Sequence, residues 1–326
     1  MEYIRLGTSE LNVSRICLGC MGFGRAASGM HAWTLDEAPT REIIRHALEL
    51  GINFFDTALA YQGGTSEQFV GRALKDMAKR EDVVVATKFL PMTAEQHASG
   101  MKVKDYINGC LEQSLRNMGL DCIDLYIYHC WDAAMPVEEV MGTLNEAVKA
   151  GKVRYIGISN CFAWQIAKAN FVAEKYGWSR FITVQGHYNL LFREEEVEMA
   201  PYCADACISM TPYSALAAGR LARSRSEVTE RLQKDAYAKG KYDATAEQDG
   251  LIIDRVGEIA EKRGVSRTQI ALAWLLTKVA APVVGATKIH QLEDIAASTS
   301  LKLTPEECAY LEEPYVPHRL VGMMKK

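Results

Sequence analysis

The chain has 326 residues, 48% hydrophobic and 24% charged, the composition of a folded globular protein rather than a disordered or collagen-like one. Its formal net charge of −4 excludes a global basic field for nucleic acid, and no run of about 18 apolar residues is present to span a membrane. The opening MEYIRLGTSELNVSR has neither an apolar core nor a cleavage site, so no signal peptide is expected; irregularly spaced cysteines fit a cytoplasmic protein with reduced thiols.

In chain order, YIRLGTSELNVSR carries turn residues between two short strand-like runs and is predicted to form a hairpin plugging one end of the fold. Short apolar runs then alternate with stretches of helical spacing. Strands are predicted over Arg15–Leu18, Asn53–Phe55, Val83–Thr87, Ile123–Tyr128, Arg154–Ile158, Ile182–Val184, Ile208–Pro212 and Ala281–Val284. Between them, Ile43/Ala47/Leu48/Leu50, Leu111/Leu115/Met118, Val140/Leu144/Ala147/Val148 and Ile270/Ala273/Trp274/Leu275 mark helices. Gly51, Gly119, Gly151 and Gly177 are placed to stop helices. Eight βα repeats without a composition shift predict a single (β/α)8 TIM barrel over residues 1–326. Three longer segments interrupt the repeat: Cys20–Trp33, Phe89–Val103 and Leu221–Gly250. Each follows a strand, where the loops of the catalytic face belong, and is a candidate lid.

The residues directly after the strands are Gly19, Asp56, Lys88, His129, Ser159 with Asn160, Gln185, Tyr213 with Ser214, and Gly285. In a barrel all converge on one mouth. A lysine after VVVAT needs a partner, and Asp56 supplies one. Tyr61 follows on a glycine-containing loop; beside a lysine, its phenol pKa of about 10 is expected to fall, making it a proton donor to a carbonyl oxygen. His129 is placed to orient that carbonyl.

The segments DTALAYQGGTSE, ATK, IYHCWD, GISN, VQGHYNL, TPYSALAAGRL and VVGATK, in this order, resemble the aldo/keto reductase superfamily, in particular the bacterial branch similar to potassium-channel β subunits. The resemblance implies NADPH-dependent reduction of aldehydes or ketones by direct hydride transfer, with Asp56, Tyr61, Lys88 and His129 as the catalytic tetrad. It also implies that Ser159, Asn160 and Gln185 hold the nicotinamide carboxamide and that Tyr213 stacks on its ring. Ser214, Leu216 and Arg220 would hold the pyrophosphate, Gly285 and Lys288 the adenosine phosphate, and Gln291 and Asp294 the adenosine. Family members often carry arginine where this chain has Gln291 and asparagine where it has Ile295, so NADH stands as the alternative cofactor. Gln62 stands where many relatives have glycine and is expected to alter its loop but not the tetrad. The alternative function is a non-enzymatic NADP-binding regulatory subunit.

Trp33, Phe89 and Trp131 are candidates for an apolar substrate pocket. The partner expected is a small carbonyl compound, with neither nucleic acid nor membrane. Gly22-Phe23-Gly24-Arg25-Ala26-Ala27 fits a dinucleotide fingerprint but is followed by a loop instead of a helix, which argues against that fold. Cys17 and Cys20 lack a second pair for zinc, and no metal is expected. Cys130 and Cys161 lie near the proposed mouth as candidate oxidisable thiols. The acidic run at Glu194–Glu196 reads as a solvated helix start.

Overall fold

The computed structural model describes residues 1–324 except 30, 228 and 230–234. Two short strands, β1 (Tyr3–Arg5) and β2 (Asn12–Ser14), pair antiparallel as the predicted hairpin. Eight further strands form one parallel sheet: β3 (Cys17–Gly19), β4 (Phe54–Asp56), β5 (Val84–Phe89), β6 (Ile123–Tyr128), β7 (Val153–Ser159), β8 (Phe181–Gln185), β9 (Ser209–Met210) and β10 (Val283–Val284). Neighbours follow chain order from β3 to β9, with β10 beside β3. The amides of Ala280 and Val283 donate to the carbonyls of Met210 and Pro212, carrying the pairing from the β9 segment toward β10. The result is the (β/α)8 architecture expected, with helices outside the sheet.

Period-two alternation along the strands sorts side chains into two layers. Cys17, Phe54, Val84, Ala86, Leu125, Ile127 and Ile182 form the barrel interior, joined by Leu6, Leu11 and Val13 of the hairpin. Phe55, Val85, Phe89, Tyr126, Tyr128, Ile156 and Val184 face outward into the layer beneath the helices. The hairpin is fastened to the barrel floor by bonds from the Gly7 amide to Ser209 Oγ and from the Glu10 amide to the Tyr155 hydroxyl.

The outer helices are amphipathic as their spacing requires: α1 (Glu37–Glu49), α2 (Thr65–Met77), a short α3 (Ala94–Ala98), α4 (Val103–Met118), α5 (Val137–Lys149) and α6 (Ala163–Tyr176). Gly119 and Gly177 cap α4 and α6 with φ of 64° and 66°, the left-handed stop read from sequence. Then come α7 (Met199–Asp205), α8 (Ala236–Tyr242), α9 (Gly250–Arg263), α10 (Arg267–Leu276), α11 (Ile289–Ala297) and α12 (Pro305–Glu312). Strand boundaries move by at most two residues from those predicted, and β9 and β10 shrink to two residues each.

The three long segments differ in build. The first holds two single-turn helices, Cys20–Gly22 and Ala26–Ser28. The second contains α3, started by a reciprocal Thr93–Gln96 cap. The third carries α8; its residues 228 and 230–234 lie outside the described residues. Among the described residues, no helix is long and apolar enough to cross a membrane.

Candidate functional site

The alternation that builds the core also builds the site. Two residues beyond inward Phe54, Ala86 and Ile127 stand Asp56, Lys88 and His129, so all three top the interior layer. Lys88 is fully buried, and its Nζ donates to Asp56 Oδ1 at 2.5 Å, the Thr57 carbonyl at 2.7 Å and the Tyr61 hydroxyl at 3.3 Å. Its ammonium also lies 4.9 Å from the Tyr61 ring centroid. The second Asp56 oxygen accepts from Gln185 Nε2 at 3.0 Å. The His129 ring meets Tyr61 edge to face, with centroids 6.0 Å apart. The four tetrad candidates therefore stand together.

Their electrostatics depart from the sequence reading at one point. Tyr61 was expected to be acidified by Lys88; instead burial pushes its hydroxyl up, and the opposing pull of Lys88 is partly undone by Asp56. Lys88 keeps its proton strongly, because Asp56 and Tyr61 outweigh its burial. Burial, helped by Lys88, lowers His129 to about 3, so its imidazole is neutral near pH 7. Its Nδ1 is buried without a hydrogen-bond partner among the described residues.

Beside the tetrad, Ser159 Oγ donates to the Gln185 carbonyl and Asn160 Nδ2 to the His129 carbonyl. Tyr213 donates from its hydroxyl to Asn160 Oδ1 at 2.8 Å. These residues, proposed from the resemblance to meet the nicotinamide, form one hydrogen-bonded patch. Ser214, Ala217, Ala218 and Gly219 all adopt positive φ, in a tight turn whose Ala217 and Gly219 amides donate back to the Ser214 and Leu216 carbonyls. Arg220 stands at its end, paired with Asp243 at 2.6 Å, while its Nη1 is buried without a partner among the described residues. Lys288 precedes α11, whose N-terminus adds positive potential. An orphaned guanidinium nitrogen, a run of positive φ and a helix start fit a dinucleotide's phosphates. Gln291 and Asp294 are engaged internally, accepting from the Thr287 amide and from Gln269 Nε2.

The aromatic pocket reading needs correction at Phe89. Phe89 is the residue after inward Lys88, so alternation turns it outward, where it stacks between Tyr126 and Tyr128 in the core. Trp131 packs against Trp164, with centroids 6.1 Å apart, and Trp33 lies near Gly22 and His31. The acidic run does form a single helical turn, but the side chains of Glu194 and Glu196 are bonded rather than freely solvated. Glu194 accepts from the Tyr315 hydroxyl and the His318 amide, and Glu196 from Tyr188 and Arg193. Cys161 is buried, and burial pushes its thiol well up. Among the described residues, no group of three or more His, Cys, Asp or Glu is placed to hold a metal.

Gln62 has a role that its sequence position did not announce. It adopts φ 48°, and its Nε2 donates to the carbonyls of Arg25 and His31 while its Oε1 accepts from the His31 amide. Gly29 lies so close that a Cβ there would sit 2.6 Å from Gln62 Cα, so the first loop is folded around this side chain. The hydrogen-bonding partners sit some thirty residues earlier, beyond any local pattern.

Comparison with known proteins places this geometry. The profile of the Aldo/keto reductase family matches residues 15–315. The chain is 40% identical to versiconal hemiacetal acetate reductase of Aspergillus parasiticus, covering 97% of this chain and 98% of that protein. It is 36% identical to a putative aryl-alcohol dehydrogenase of Schizosaccharomyces pombe, covering 97% and 96%. Among solved structures, a thermostable aldo-keto reductase, Tm1743, in complex with the inhibitor epalrestat, superposes with a TM-score of 0.77 at 25% identity, covering 96% of this chain and all of that one.

Proposed function

Because the chain belongs to the aldo/keto reductase family, and is thus an oxidoreductase, we propose that it reduces aldehydes or ketones to alcohols with NADPH, Tyr61 giving the proton. The observation carrying this reading is the buried Lys88 ammonium, held by Asp56 and Thr57 and within hydrogen-bond reach of the Tyr61 hydroxyl. The Ser214–Arg220 loop and the start of α11 would hold a nicotinamide nucleotide, which would supply the hydride when bound. The chain's own residues do the rest. Tyr61, protonated at neutral pH, donates to the carbonyl oxygen as negative charge gathers there. Lys88 stabilises the resulting phenolate, and Asp56 keeps the ammonium from swinging away. Neutral His129 serves to orient the carbonyl. Lys288 at the helix start favours an adenosine phosphate and so NADPH over NADH. We place the enzyme in the cytoplasm.

The test is NADPH and NADH oxidation across a panel of aldehydes, ketones and sugar aldehydes, repeated with Tyr61→Phe. Removing the proton donor should lower carbonyl reduction by about 10²-fold or more while nucleotide binding persists. Undiminished turnover in that variant overturns the assignment, and binding without turnover in the wild type favours a regulatory subunit.

A further inference from the structure

Among the described residues, Lys241 is a buried cation in the site region that the proposed mechanism leaves without a task. It lies on α8, within the long segment after β9, and is only 5% exposed. Among the described residues its Nζ has no hydrogen-bond partner. Two tyrosine rings flank it instead, with centroids 4.5 Å away at Tyr213 and 4.7 Å away at Tyr237. Gly322 of the C-terminal tail closes another side: a Cβ there would lie 2.8 Å from Lys241 Cε and 3.1 Å from the Tyr237 hydroxyl.

This placement ties the ammonium to the mouth. Tyr213 bonds Asn160 in the patch beside the tetrad, and Tyr237 lies within electrostatic reach of Tyr61 and Cys130. Tyr237 is also 49% exposed, so a single side chain separates the buried ammonium from solvent. Burying an ammonium between aromatic faces recovers part of its lost hydration but supplies no anionic partner. Asp235 lends a favourable field without bonding to it, and burial lowers Lys241 to about 7. A cation kept dry and unpaired beside a reaction centre gains most when a ligand brings the missing negative charge.

Resting on the carbonyl-reductase reading, we propose that Lys241 is the receiving group of an anion subsite over the barrel mouth, which takes a carboxylate carried by the carbonyl substrate. Preferred substrates are then oxo-acids, held at the carboxylate by Lys241 and reduced at the carbonyl beside Tyr61. Arg220 and the Ser214–Gly219 loop already provide for nucleotide phosphates. That leaves Lys241, flanked by Tyr237, to the substrate.

The experiment compares kcat/KM for 2-, 3- and 4-formylbenzoate with that for their methyl esters, in wild type, Lys241→Met and Lys241→Arg, alongside the Kd for NADPH. The acid-to-ester ratio cancels any general loss of activity. For at least one isomer it should fall about tenfold or more in Lys241→Met and recover largely in Lys241→Arg. An unchanged ratio for all three isomers overturns the subsite. So does a weakened NADPH Kd with the ratio unchanged, which would assign the cation to a cofactor phosphate. If no aldehyde oxidises NADPH, the reductase reading fails, and the subsite is judged by calorimetric titration with benzoate. Binding that weakens about tenfold in Lys241→Met sustains it, and binding that is absent or indifferent to Lys241 overturns it.

Discussion

Replacing Glu195 by glutamine should stabilise the protein above neutral pH and leave it nearly unaffected in mild acid. The carboxyl is packed against Gly186, directly after Gln185 of the site; a Cβ on Gly186 would lie 2.6 Å from Glu195 Oε1. It stands close to the thiols of Cys161 and Cys203, and burial raises its pKa from 4.5 to about 8. The folded state therefore holds a proton that the unfolded chain releases near pH 4.5. Between these values stability falls as pH rises, and the full penalty is present above about pH 8. The whole displacement corresponds to at most about 5 kcal/mol, at about 1.36 kcal/mol per pH unit. Glu195 is only partly buried by surface area, so solvent relieves much of this, and we take about 2 kcal/mol. Glutamine keeps the shape without the charge. Urea unfolding of both proteins at about pH 5 and about pH 8.5 should show the variant gaining roughly 2 kcal/mol only at the higher pH. An equal difference at both pH values would refute the argument, because it would place the effect in packing rather than ionisation.

Gln62→Ala should release the first loop: the loss of several hydrogen bonds, each worth about 1 kcal/mol net, predicts faster proteolysis within residues 25–34 and a raised KM with a smaller change in kcat. Protease resistance equal to wild type would show that the loop holds itself. His129 is neutral throughout the useful range because its pKa lies near 3, so it contributes no inflection near 6.5. With a neutral aldehyde, pH profiles of kcat for wild type and His129→Gln should differ in height but run parallel between about pH 5 and 7. A wild-type inflection in that window that disappears in the variant would contradict it.

Sequence alone carried the architecture far because short apolar runs such as IDLYIY and helix-stopping glycines are local signals. The tetrad was legible for the same reason: Asp56, Lys88 and His129 each lie within one residue of a strand's end, and a barrel makes strand ends converge. What failed required knowing a face or a depth. Phe89 reads as a mouth residue until its parity with Lys88 is followed one step further. The phenol of Tyr61 reads as acidified until burial is weighed against a lysine already neutralised by Asp56. Glu195 looked solvated because three glutamates in a row usually are. Gln62 and Lys241 owe their roles to partners that are distant in sequence or packed in the roof of the mouth, which no local pattern records.

The hairpin floor has a consequence for traffic. Leu6, Leu11 and Val13 pack into the interior layer and close the lower end of the barrel among the described residues. On the proposed carbonyl-reductase reading, nucleotide and carbonyl compound would both have to use the opposite end, and whatever settled deeper could not leave before what lay above it. Any order of arrivals and departures would thus be imposed from the end of the molecule farthest from the proposed chemistry.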